Sequence, residues 1–234
     1  MTSRRVGAAA SCALVVLALA SLPVLMRWLA HAPPSLTGVA FIDAKIAYQV
    51  VSALIMIAVV AAVRFLGARE RFLRAGDARA PAGAIRLLGV RAGEPWSVVG
   101  RNFAIIATAV TAVVVWLQVA RGQEGLLAAL PMSLLLALPF AAANAATEEG
   151  LVRLALLEGT VDVLGAPRAA MLSGVVFGTV HYFGVPGGAP GVVLAGFLGY
   201  VLARSVTETN GVRWAWFIHF LQDVVIFALL FAVR

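Results

Sequence analysis

Six ionisable side chains sit in stretches that otherwise hold little but Leu, Val, Ala and Phe: Glu148, Glu149, Arg153, His181, His219 and Asp223. Carboxylates and imidazoles are the residue types that hydrolysis asks for. One group takes a proton from water, and donors meet the charge that develops on the attacked carbonyl oxygen. Spacing sorts the six. Glu149 and Arg153 are four apart, so on a helix they share a face and can neutralise each other. Glu148 points about 100° away from that pair. Phe177 and His181 are again four apart, as are His219 and Asp223. A charge at mid-bilayer costs about 2.5–3.5 kcal/mol on insertion scales, so Glu148, Glu149, Arg153 and Asp223 together ask for roughly 10–14 kcal/mol before pairing. Each group has a plain structural reading: Glu149–Arg153 as an ion pair, the histidines as polar links between helices, Asp223 as a partner for His219. Yet the chain has three histidines and two fall here. Chance placement is a poor account of the set.

The elements that carry these residues are apolar runs at roughly 6–26, 46–63, 102–120, 132–157, 169–183, 190–204 and 213–233. Each is long enough, or nearly so, to cross a hydrocarbon core of about 30 Å at 1.5 Å per residue. The fifth and sixth are short and need tilt or shelter from neighbours. Continuous apolar runs do not alternate as barrel strands do, so the expected fold is an all-α integral membrane bundle of about seven helices. Composition agrees: 62% of the 234 residues are hydrophobic and 12% charged, about half the charge of a soluble domain. The net charge of +7 would raise nucleic acid as a partner for a soluble protein. Here the arginines cluster beside the apolar runs, so membrane topology explains them and no nucleic acid is expected. The single cysteine, Cys12, excludes a disulfide framework and a cysteine-based zinc site.

Thirteen of the eighteen basic residues fall on one side if the N-terminus is cytosolic: Arg4, Arg5, the eight arginines from Arg64 to Arg101, Arg168, Arg204 and Arg213. Arg27, Lys45, Arg121 and Arg234 fall on the other. That bias orients the chain in the cell membrane, multi-pass, with its C-terminus outside. Ala30-His31-Ala32 resembles a signal-peptidase site, but the long apolar run and Pro33 favour a retained first span. The one sizeable polar loop, 64–101, reads as a positive-inside anchor. In it Arg64 to Arg79 can continue the second helix, Ala80-Pro81-Ala82-Gly83 breaks it, and Trp96 lies in the interface before the third span. Trp28, Trp214 and Trp216 read as interfacial belt residues. Counting from the cytosolic edge, Glu148 lies about 15 Å deep, His181 about 20 Å, His219 about 9 Å and Asp223 about 15 Å. Gly174 and Gly178 on the fifth run, and Gly191, Ala195 and Gly199 on the sixth, let helices approach closely enough to bring His181 to Glu148.

Glu148-Glu149-x-x-x-Arg153, Phe177-x-x-x-His181 and His219-x-x-x-Asp223, in that order and each in an apolar run, resemble the three-motif signature of the CPBP intramembrane proteases. That family includes the type II CAAX prenyl endopeptidases and bacteriocin-processing or immunity proteins. The resemblance covers roughly residues 90–234. It divides the chain into N-terminal membrane helices with the basic loop, 1–90, and a CAAX-protease-like core, 91–234. It implies that Glu148 and His181 activate water while His219 and position 223 stabilise the oxyanion. Two positions depart from the family: Val152 and Leu154 flank the arginine where Phe and Gly are frequent, and Asp223 stands where Asn is common. Asn donates to an oxyanion and an ionised Asp does not, so Asp223 is either protonated, or orients His219, or ligates a metal with it.

The resulting expectation is an intramembrane endopeptidase with Glu148, His181, His219 and Asp223 as its reacting groups, and with Glu149, Arg153 and Phe177 holding them in place. No cofactor is assigned, and a glutamate-type and a metal-dependent mechanism both stay open. Zinc is possible, and the same four residues would then be its ligands. The partners are membrane lipids and a peptide or membrane-protein substrate. Two other classes stay open: a non-catalytic scaffold or bacteriocin-immunity-type protein of the same fold, and a proton-coupled transporter. Inverted repeats with broken helices would mark the transporter.

Overall fold

The computed structural model describes residues 2–233, and Arg234, counted above on the outer side, lies outside them. Seven helices follow one another among the described residues: α1 Thr2–His31, α2 Ala40–Phe65, α3 Trp96–Ala120, α4 Leu126–Leu164, α5 Ala166–Val180, α6 Gly188–Thr209 and α7 Arg213–Ala232. No strand forms among them. Six are long and apolar enough to cross a membrane. α5, at 15 residues, reaches only about 22 Å. Leu17, Val24, Leu54, Ile57, Ile105 and Leu135 stay exposed on the outer faces of these helices, as side chains facing lipid do. The chain is a multi-pass, all-α membrane protein.

α4 and α7 form the most extensive helix pair, with α5 on α6 next. The second pair depends on missing side chains. A Cβ on Gly178 would lie 2.6 Å from the carbonyl oxygen of Val192 and 2.8 Å from Cα of Gly196. Backbone therefore rests on backbone, which is how the short α5 is sheltered. α1 and α2 are not peripheral. Val15, Leu19 and Leu22 of α1 and Val63 of α2 share one apolar cluster with Leu151, Leu156 and Phe177.

α4 changes pitch at the site. From Gly150 to Leu157 it winds as a π-helix, starting directly after Glu148 and Glu149. Wider turns of this kind are rare and turn side chains away from simple α register. Sequence spacing gave no sign of it.

The loop between α2 and α3 corrects two expectations. α2 ends at Phe65 instead of running on to Arg79. The backbone amides of Arg71 and Phe72 donate to Glu158 Oε1 at 3.1 and 2.7 Å, a use of N–H groups that a continuing helix would forbid. The loop then folds over the ends of α6 and α7: the amide of Asp77 donates to the carbonyl of Thr209 at 2.8 Å, and that of Val212 to the carbonyl of Phe72 at 3.1 Å. Gly76, with φ of +74°, lies so close to Thr209 and Gly211 that a Cβ there would clash with both backbones. Trp96 does not face lipid. It starts α3, is fully buried, and its indole N–H donates to Glu208 Oε2 at 2.9 Å. The arginine-rich segment is a packed cap. Trp28 remains exposed.

Candidate active site

Three helices deliver the motif residues to one place. Glu148 Oε2 lies 3.9 Å from His181 Nε2 and 3.6 Å from His219 Nε2, and Asp223 Oδ2 lies 3.6 Å from that same His219 nitrogen. All four residues expected to react thus stand together, Glu148 from α4, His181 from the end of α5, His219 and Asp223 from α7.

The orientation of each imidazole is fixed at its other nitrogen. His181 Nδ1–H donates to the carbonyl of Phe177 at 2.7 Å. His219 Nδ1–H donates to Glu149 Oε1 at 2.9 Å. With Nδ1 spent in this way, Nε2 of each ring is aimed at Glu148, and in the neutral ring it carries the lone pair. Glu149 makes the hydrogen bond at His219 Nδ1, and Asp223 stands at the ring's other nitrogen.

Glu149 and Arg153 do more than stiffen α4. Arg153 Nε lies 3.0 Å from Glu149 Oε2, its Nη1 donates to Ser173 Oγ at 2.6 Å, and its guanidinium lies 5.5 Å from the Phe177 ring centroid. Phe177 in turn lies 4.3 Å from the ring of His181 and 5.4 Å, edge to face, from that of His219. The pair therefore links α4 to α5 and α7. Three carboxylates, Glu148, Glu149 and Asp223, stand near one guanidinium here, so protons shared with the imidazoles help to offset the excess negative charge.

Asn144 was missed. Its Nδ2 donates to Glu148 Oε1 at 3.0 Å and to Asp223 Oδ2 at 3.1 Å, joining the two carboxylates. A polar residue one turn before Glu148 on an apolar helix was the available signal.

Water can reach part of the cluster. Side-chain exposure is 16% for Glu148 and 20% for His181, against 3% for His219 and 7% for Asp223. Glu148 and His181 are thus the more accessible pair of the four. A cavity of about 190 Å³ opens beside them, bounded by α1 and α2 and lined by Lys45, Tyr48, Asn144 and Asp223 as well. On the other flank a more apolar cavity of about 240 Å³ adjoins His181, His219 and Asp223, with Phe103, Val110 and Leu194 in its wall. Among the described residues no group of three or more His, Cys, Asp or Glu side chains has the arrangement of a metal site.

Carboxylates and imidazoles gathered beside cavities in a helical membrane bundle supply the residue types that hydrolysis asks for. Residues 130–225 match the family model described as type II CAAX prenyl endopeptidase Rce1-like. That segment spans all three motifs, so the match falls on the same residues that carry the resemblance read from sequence. The match is shorter than the resemblance read from sequence and leaves α1 to α3 outside it. No curated protein and no solved structure matches the chain.

Proposed function

We propose that this protein is an intramembrane endopeptidase that hydrolyses a peptide bond with a water activated by Glu148 and His181. The observation that carries the reading is the common focus of Glu148, His181 and His219, with Nε2 to carboxylate separations of 3.6–3.9 Å. Those gaps are too long for direct hydrogen bonds and suit a bridging water.

The proton path follows from the fixed rings. Glu148 takes a proton from the water as its oxygen bonds to the substrate carbonyl carbon. The proton then passes, by way of His181 Nε2, to the amide nitrogen, and the C–N bond breaks to give a carboxylic acid and an amine. His219, when protonated, donates from Nε2 to the oxyanion, while Glu149 holds its other nitrogen. Asp223 is tied to Asn144 and sets the charge around His219. Residues 91–234 form the catalytic core, and 1–90 supply one wall of the cavity beside Glu148 through α1 and α2. The N-terminus is cytosolic and the bundle sits in the cell membrane, as the arginine bias indicates.

The apolar cavity suits an apolar part of the substrate, and the family's name raises a prenylated peptide as one candidate. The test adds purified protein or its Glu148→Ala variant to solubilised membrane proteins and maps new peptide termini by mass spectrometry. Termini that appear only with the wild type support a peptidase. Identical maps would leave the non-catalytic scaffold of the same fold as the better reading.

A further inference from the structure

The cavity beside Glu148 has a wall that the family match does not reach. Tyr48, on α2, is partly buried against the cluster that holds Leu19, Leu22 and Phe177, and it lines the cavity together with Asn144, Glu148, His181 and Asp223. No hydrogen bond ties its hydroxyl to another described residue, and it is not a sealed, unpaired group. A phenol O–H on a residue of the cavity wall, unused by any described residue, is a donor open to a substrate.

The site is short of such donors. Asp223 offers acceptor oxygens when ionised, where Asn is common in the family. Asn144 has two N–H groups, and its amide nitrogen already serves Glu148 and Asp223. The Lys45 ammonium sits over the Phe41 and Phe227 rings, 5.7 and 5.8 Å from their centroids. His219 can give one donor, from Nε2. An oxyanion is usually met by two.

We infer that Tyr48 is the second oxyanion donor: its O–H binds the substrate carbonyl oxygen and strengthens that bond as negative charge develops. This rests on the endopeptidase reading and deepens it, since the reacting centre would then be completed by a helix outside residues 130–225. No proton leaves the phenol in this role. The hydrogen bond forms, tightens at the tetrahedral intermediate, and relaxes when the C–N bond breaks.

The test uses full-length protein in proteoliposomes with an internally quenched library of apolar peptides, half of them farnesylated. Wild type, Tyr48→Phe and Glu148→Ala are compared at matched folded amounts, checked by thermal unfolding. Removing the hydroxyl should lower kcat by about 100-fold with KM changed less than about three-fold. The same variant should lose affinity for a peptidyl phosphinate, a stable tetrahedral oxyanion, and keep it for the parent peptide. If Tyr48→Phe keeps its kcat while Glu148→Ala is inactive, Tyr48 is no oxyanion donor and the peptidase reading stands. If Glu148→Ala is as active as wild type, the peptidase reading falls and takes this inference with it. A rise in KM alone would make Tyr48 a binding residue and overturn the inference.

Discussion

Replacing Arg153 with Ala should be among the most damaging single changes in this protein. The side chain is fully buried. It pairs with Glu149 at 3.0 Å, donates to Ser173 at 2.6 Å, and packs over Phe177. Its loss leaves the Glu149 carboxylate at 2% exposure with His219 as its remaining polar partner. Breaking one side of a buried ion pair costs about 3–5 kcal/mol, chiefly because the surviving charge is stranded. The Ser173 and Phe177 contacts are included in that range and not added to it. For a chain of this size the midpoint of thermal unfolding should fall by on the order of 10 °C. The assay is thermal unfolding in detergent for Arg153→Ala, Glu149→Ala and the double variant. Because the stranded carboxylate is absent from the double variant, that protein should be more stable than the two single losses summed. A loss under about 1 kcal/mol for Arg153→Ala, or strict additivity in the double, would refute the reasoning.

Asn144→Leu removes the amide that joins two carboxylates, so both lose a donor; stability should fall by about 1–3 kcal/mol and cleavage rate by more than ten-fold, measured by thermal unfolding and peptide turnover. Gly178→Ala pushes α5 off the backbone of α6, an overpacking cost of about 1–3 kcal/mol, and it should lower the unfolding midpoint and displace His181, read as a fall in kcat. Strong chelation should leave cleavage unchanged. Loss of activity that zinc restores would assign Glu148, His181, His219 and Asp223 as ligands.

How far the sequence could be read depended on whether a feature is local. Helices are written in apolar length, so all seven runs became helices, and i,i+4 spacing placed Glu149 beside Arg153. The glycines of the fifth run announced close packing, which Gly178 confirms. Features that cross between helices were hidden. The bond from His219 to Glu149 depends on the rotation of α7 against α4, and the π-helical turn after Glu149 alters the register that a uniform 100° step assumes. The 66–95 loop looked like a charged anchor because its arginines dominate its composition. How it packs depends on Phe72, Gly76 and backbone amides, whose partners lie about 85 to 140 residues away. Tyr48 is an ordinary tyrosine in an apolar run until α2 is laid against α4.

The most direct test is the rate at which Glu148→Gln cleaves peptides from the quenched library in proteoliposomes. Gln keeps the shape of Glu and its bond to Asn144 but is no base. Turnover should drop by about 100-fold or more with an unchanged unfolding midpoint. A Gln variant as stable and as fast as wild type would mean that this carboxylate does not activate the water.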